Sequence, residues 1–145
     1  MKSDVRENFV KLVDFGIAKV VASQDLGEQE LTQTGDIVGS PLYMSPEQCV
    51  GDELDPRTDI YSLGCVMYEA IAGSPPFMAP NAVKTIFKHV NVKPDPISVT
   101  NPKIGIPPQL EQIIFKTLEK KPEDRFATME DLKLALRQCR QMMAM

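Results

Sequence analysis

The chain has no apolar run close to the roughly 18 residues that a membrane-spanning helix requires. Its first twenty residues show no secretory signal pattern. Its three cysteines, Cys49, Cys65 and Cys139, stand far apart with no Cys-x-x-Cys pair, which argues against a zinc site or a disulfide framework. His89 is the single histidine and has no acidic or cysteine neighbour at ligand spacing. It reads as an ordinary residue on a helix surface. Positive charge is not in excess: 16 lysines and arginines face 20 aspartates and glutamates, a formal net charge of −4. A nucleic acid or an anionic membrane would find no electrostatic footprint here. Internal repeats and low-complexity tracts are absent as well. What is present is ordinary globular composition, 43% hydrophobic and 25% charged. The 145 residues suffice for one domain with a core and are too few to expect two. The expectation is a soluble, reduced, cytoplasmic domain.

The order of elements runs from strands to helices. Phe9-Val10-Lys11-Leu12-Val13 is apolar and β-branched and is stopped by Gly16, with residues 17–21 as a second short strand. From about residue 22 to 45 the periodicity vanishes into a polar loop containing Thr32 and Thr34. Structureless loops of this length inside a domain tend to be functional or disordered. Ser45-Pro46-Glu47 reads as an N-cap followed by proline at the first helical position. Residues 59–72 form a helix apolar nearly all the way round, hence buried on most sides, and Gly73 with Pro75-Pro76 ends it. Residues 81–90 carry Val83, Ile86, Phe87 and Val90 on one helical face, and residues 108–120 repeat that spacing. The proline-rich stretch 93–108 is expected to be a connecting loop. Thr128 with Asp131 resembles a capping box and opens a last helix with Leu132, Ala135, Leu136 and Cys139 inward; residues 142–145 are expected to fray. That makes about five helices.

The chemistry begins at Asp14-Phe15-Gly16. A carboxylate at the end of a strand, followed by a glycine that lets the chain turn, can reach a metal ion held by phosphates. Further on come Gly39-Ser40-Pro41-Leu42-Tyr43-Met44-Ser45-Pro46-Glu47, then Asp59-Ile60-Tyr61-Ser62-Leu63-Gly64, then Pro122-Glu123-Asp124-Arg125-Phe126. This ordered set, running over essentially the whole chain, resembles the C-terminal lobe of the protein kinases, in particular the bacterial serine/threonine kinases of eukaryotic type. Four motifs in one order set aside an unrelated helical domain with chance matches.

The resemblance implies a mainly α fragment of an α+β family, a single truncated kinase domain over 1–145. It would hold a short hairpin at 1–21, an activation segment at 14–47 and a helical lobe at 48–145. Asp14 would bind the magnesium that bridges the ATP phosphates, with Phe15 packing beside it and Gly16 as a hinge. Thr32 and Thr34 stand where such kinases accept regulatory phosphates. Gly39, Ser40 and Pro41 would dock the substrate residue after the acceptor; the family usually has threonine where Ser40 stands, and the hydroxyl is kept. Glu47 would form a buried ion pair with Arg125, a carboxylate against a planar guanidinium. Asp59 would hold the backbone of the catalytic loop, besides favouring its helix's N-terminus as a negative charge.

That catalytic loop does not occur in the chain, which has no His-Arg-Asp and no Gly-x-Gly-x-x-Gly. ATP and magnesium are therefore expected in the intact kinase, with neither bound tightly here, and the chain alone is expected to be inactive. Its partners would be a protein substrate or the missing kinase segment. The leading expectation is a lobe fragment from a split, mispredicted or degraded reading frame. The alternative is a non-catalytic interaction module that binds an intact kinase or another partner.

Overall fold

A computed structural model describes residues 41–144, and every regular element among them is helical. A 3-10 turn at Pro41–Tyr43 leads into α1 (Pro46–Val50), α2 (Arg57–Ala72), α3 (Ala82–Asn91), α4 (Ile97–Thr100) and α5 (Pro108–Thr117). A second 3-10 turn, Pro122–Asp124, precedes α6 (Met129–Met143). The strand pair expected over 1–21 and most of the polar loop lie outside the described residues.

Local chemistry sets the helix ends. At α1 the Ser45 hydroxyl accepts from the Gln48 N–H at 3.2 Å and the Gln48 amide accepts from the Ser45 N–H at 2.9 Å. Pro46 fills the first helical position, where a missing N–H costs nothing. Asn81 caps α3 through the Lys84 N–H, and Thr128 and Asp131 form the reciprocal pair that opens α6. α2 stops at Gly73, whose φ of 86° is a left-handed conformation that glycine adopts without a Cβ penalty.

α2 is the centre of the core. Its Tyr61, Cys65, Tyr68 and Ala72 pack with Phe77, Ile97, Ile114 and Leu118. α5 passes so close to α2 that a Cβ built on Gly64 would overlap the Thr117 side chain. The opposite stripe of α2 is open: Leu63 is 38% and Val66 49% exposed, with Asp59 and Ala70 beside them. Burial of this helix is thus one-sided.

Three expectations need correction. The stretch 93–108 contains α4, whose Ile97 is fully buried. Four residues make no periodic signal, and this helix is held by its neighbours: the Tyr68 hydroxyl donates to the Asp95 carbonyl at 3.0 Å and pairs with the Thr100 hydroxyl at 2.7 Å. The Glu111 carboxylate accepts from the Ile97 N–H at 2.8 Å. Residues 142 and 143 belong to α6 and are not frayed. The apolar face of α3 is split, with Val83 74% and Phe87 60% exposed and Ile86 and Val90 half-buried, while Thr85 and His89 are the residues that point into the core. His89 is therefore not a surface residue.

Gly64→Ala is expected to cost about 1–3 kcal/mol, the usual range for forcing a methyl group into a packed contact. Gly105→Ala, with nothing near its Cβ position, is expected to change stability by no more than about 0.5 kcal/mol. Denaturant midpoints of the two variants provide the comparison.

Candidate functional site

The polar groups that this fold buries gather around the segment 41–47. Arg125 leaves the second 3-10 turn in extended backbone and reaches Glu47 with a two-pronged pair, Nη1 to Oε1 and Nη2 to Oε2, both 2.8 Å. Its other three N–H groups donate to main-chain carbonyls. Nε binds Glu119 at 2.8 Å, Nη1 binds Arg57 at 3.0 Å and Nη2 binds Lys120 at 3.0 Å. All five guanidinium donors are used. The group also lies over the Tyr61 ring, 4.9 Å from its centroid. Thr58 adds a hydroxyl donor to Glu47 Oε1 at 2.8 Å. Both charged residues are buried, at 6% and 4% exposure. Burial pushes the Glu47 carboxyl upward, but the hydrogen bonds from Arg125, its own N–H and Thr58, with the arginine charge, outweigh it and bring it down to about 2.

The other end of the segment is tied to α2. The Tyr43 hydroxyl donates to Glu69 Oε2 at 2.7 Å, and the Ser62 hydroxyl donates to the Tyr43 carbonyl at 2.9 Å. Pro41, the last of the three residues assigned to substrate docking, opens this turn. Beneath it lies His89, fully buried, with Nδ1 2.9 Å from the Tyr61 hydroxyl and its ring edge-on to Phe77 at 4.9 Å. Lys120 closes the cluster. Its ammonium donates to the His89 carbonyl at 2.7 Å and sits 3.9 Å above the Phe77 ring. Burial pulls that ammonium down to about 8.

Of the residues singled out in the sequence, the structure brings Glu47 and Arg125 together and puts Pro41 on the same segment. Asp59 stands exposed in the first turn of α2, and its side chain makes no hydrogen bond among the described residues. Asp14, Phe15, Gly16, Thr32, Thr34, Gly39 and Ser40 lie outside the described residues. Sequence reasoning missed Thr58, Ser62, Glu69, His89 and Lys120. Each is a lone polar side chain in an apolar or charged context, with no spacing to mark it. Among the described residues no group of histidine, cysteine, aspartate and glutamate could hold a metal ion, so the magnesium assignment rests on Asp14 alone. No described helix is long and apolar enough to cross a membrane.

Comparison with known proteins agrees with this geometry. The family model described as protein kinase domain matches residues 3–136. The chain is 40% identical over 129 residues to the serine/threonine-protein kinase PknB of Mycobacterium leprae, covering 89% of this chain and 20% of that protein. Its identity to the PknB of Mycobacterium tuberculosis H37Rv is 41% over the same length and coverage. With the serine/threonine-protein kinase pkn3 of Myxococcus xanthus it is 42% over 129 residues, 89% of this chain and 23% of that protein. The chain thus spans about a fifth of the length of these curated relatives.

Removing one partner of a buried ion pair typically costs about 3–5 kcal/mol. Arg125→Ala is expected to lose that much, whereas the exposed Arg137→Ala should stay within about 0.5 kcal/mol of the parent chain. Equal urea midpoints would contradict the role given to the pair.

Acid should act in two steps. Burial, then the Lys120 charge, lowers the His89 imidazole to about 4 from its ordinary 6.5, against the opposing pull of the Leu42 and Pro41 backbone. The unfolded chain therefore binds the proton first, so the stability due to neutral His89 is complete above pH 6.5 and is lost as pH falls towards 4. The Glu47 contribution is complete above 4.5 and is lost as pH falls to about 2. Urea midpoints measured between pH 7.5 and pH 4.5 should fall for the parent chain and fall less for His89→Gln.

Proposed function

The chain belongs to the protein kinase family, and from that membership we propose that it is the C-terminal-lobe part of a serine/threonine kinase, carrying the activation segment and the helices that seat it. The observation that carries this reading is the Glu47–Arg125 clasp, which fastens the end of the segment 14–47 to the helical lobe. The names of the similar proteins support serine or threonine as the acceptor, as does the hydroxyl of Ser40.

In the intact enzyme the γ-phosphoryl group passes from ATP to a protein hydroxyl, forming an oxygen–phosphorus bond and releasing ADP. Magnesium, when bound, offsets the negative charge of the phosphates. Asp14 is the residue of this chain that would hold it, Thr32 and Thr34 would accept regulatory phosphates, and Gly39, Ser40 and Pro41 would dock the substrate. Phosphoryl transfer depends on positioning and electrostatic stabilisation. The 145 residues include neither a His-Arg-Asp base nor a glycine-rich cradle. The chain by itself is proposed to be inactive and to bind neither ATP nor magnesium tightly. Its unpaired thiols, two of them buried, suit the reducing cytoplasm.

A second reading, a non-catalytic module that binds an intact kinase or another protein, draws on the exposed Val83 and Phe87 of α3.

Purified chain incubated with labelled ATP and a generic protein acceptor is expected to transfer no phosphate; transfer would overturn the proposed inactivity. Incubation with an active serine/threonine kinase should place phosphate on Thr32 or Thr34, read by mass spectrometry. Phosphate found only elsewhere would contradict the assignment of the activation segment.

A further inference from the structure

A serine or threonine hydroxyl on a helix commonly donates to a main-chain carbonyl of the turn before it. Thr85 and Thr117 follow that rule, donating to the Asn81 carbonyl at 3.1 Å and to the Ile114 carbonyl at 2.6 Å. The threonine and the serine of α2 do not. Thr58 donates to the Glu47 carboxylate at 2.8 Å, and Ser62 donates to the Tyr43 carbonyl at 2.9 Å. Both hydroxyls leave their own helix, and both go to the segment 41–47. As α2 advances from 58 to 62 the segment runs back from 47 to 43, so the two lie antiparallel with a fixed offset.

The Tyr43 carbonyl needs a donor from outside. In a 3-10 turn each carbonyl accepts from the N–H three residues on. For Tyr43 that residue is Pro46, which carries no N–H. Pro46 also opens α1, so turn and helix meet where the main chain cannot satisfy itself. Ser62 supplies the missing bond. The Tyr43 side chain is held by the same helix, since its hydroxyl donates to Glu69, two helical turns beyond Ser62 and on the same face. Tyr43 is thereby fixed at its carbonyl and at its far end. It cannot slide along α2 without breaking one of these bonds.

Resting on the reading of residues 39–41 as the substrate-docking loop, we propose that Ser62 is a positioning residue for substrate docking. Its hydroxyl, with that of Thr58, sets the register of the segment 41–47 along α2, and with it the place of Pro41. Ser62 touches no substrate in this scheme and acts through Tyr43. Alanine at position 62 would keep α2 helical, because alanine is the best helix former. What that substitution removes is the tie to the turn and not the element that carries it.

Magnetic resonance on the full 145-residue chain, labelled with carbon-13 and nitrogen-15, tests this. In Ser62→Ala the carbonyl carbon signal of Tyr43 should move. The amides of Tyr43 and Met44 should exchange with deuterium about two- to tenfold faster, the effect of one hydrogen bond, while those of α6 keep their rates. Thr117→Ala, which removes a buried hydroxyl bonded within its own helix, should leave the Tyr43 carbonyl signal in place. A serine-containing peptide at millimolar concentration should shift the Leu42 and Tyr43 amides of the parent chain, and its dissociation constant should be about two- to tenfold higher for Ser62→Ala. An unmoved carbonyl signal with unchanged exchange in a folded Ser62→Ala chain would overturn the register role. Equal peptide affinity in the two chains would overturn the positioning role. Absence of any peptide shift in the parent, with the carbonyl and exchange results as expected, would overturn the docking reading and leave the register standing.

Discussion

The arrangement of the described residues depends on one buried guanidinium. Arg125 joins elements that sequence keeps far apart: Glu47 on α1, the Arg57 carbonyl at the start of α2, and the Glu119 and Lys120 carbonyls after α5. Lysine could not replace it, since three rotating donors cannot supply two parallel bonds to a carboxylate and three more to carbonyls. Taking both charges out of water is costly, and apolar residues of similar volume can give equal stability. The advantage is selectivity. Only one placement of α1 against the α2 and α5 ends satisfies every donor, and any other leaves a charge buried without its partner.

α2 translates that fixed point into a platform. One stripe of it supplies Thr58 to the carboxylate, Tyr61 beneath the guanidinium and beside His89, Ser62 and Glu69 to the turn, and Tyr68 to α4. These positions recur at three- and four-residue intervals, so they share a face. The same face buries Cys65, whose thiol is pushed up to about 12 by burial and so behaves as a small apolar group. Gly64 lets α5 approach closely enough to seal this side. Polar anchors at the rim and apolar contacts between them tie the segment 41–47 to α2, with Ser45, Pro46 and Glu47 buried and residues 41–44 half-buried.

What could be read from the sequence was whatever short-range chemistry decides. Ser45 with Pro46, Thr128 with Asp131, and Gly73 fix helix ends through neighbours within four residues, so those boundaries were legible. The inward face of α3 was not. Periodicity assumes that the apolar stripe is the buried one, and here Thr85 and His89 find partners that make their burial tolerable. α4 was missed because Tyr68 and Glu111, 32 and 14 residues away from their partners in it, supply its stability. The pairing of Glu47 with Arg125 across 78 positions has no local signal at all. It was legible only because the ordered motifs resemble a family in which that pair belongs. Thr58, Ser62 and Glu69 carry no such label.

The division of labour in a phosphate-transferring enzyme makes this separation intelligible. Chemistry at the phosphate needs charges placed within a fraction of an ångström, and those charges must be open to a ligand. The ionised side chains that this fold buries do something else: Glu47 and Arg125 are closed on each other, with no coordination left for a substrate oxygen. Lys120 is turned into main-chain carbonyls and an aromatic face. Such groups hold the segment 41–47 at a set height above α2.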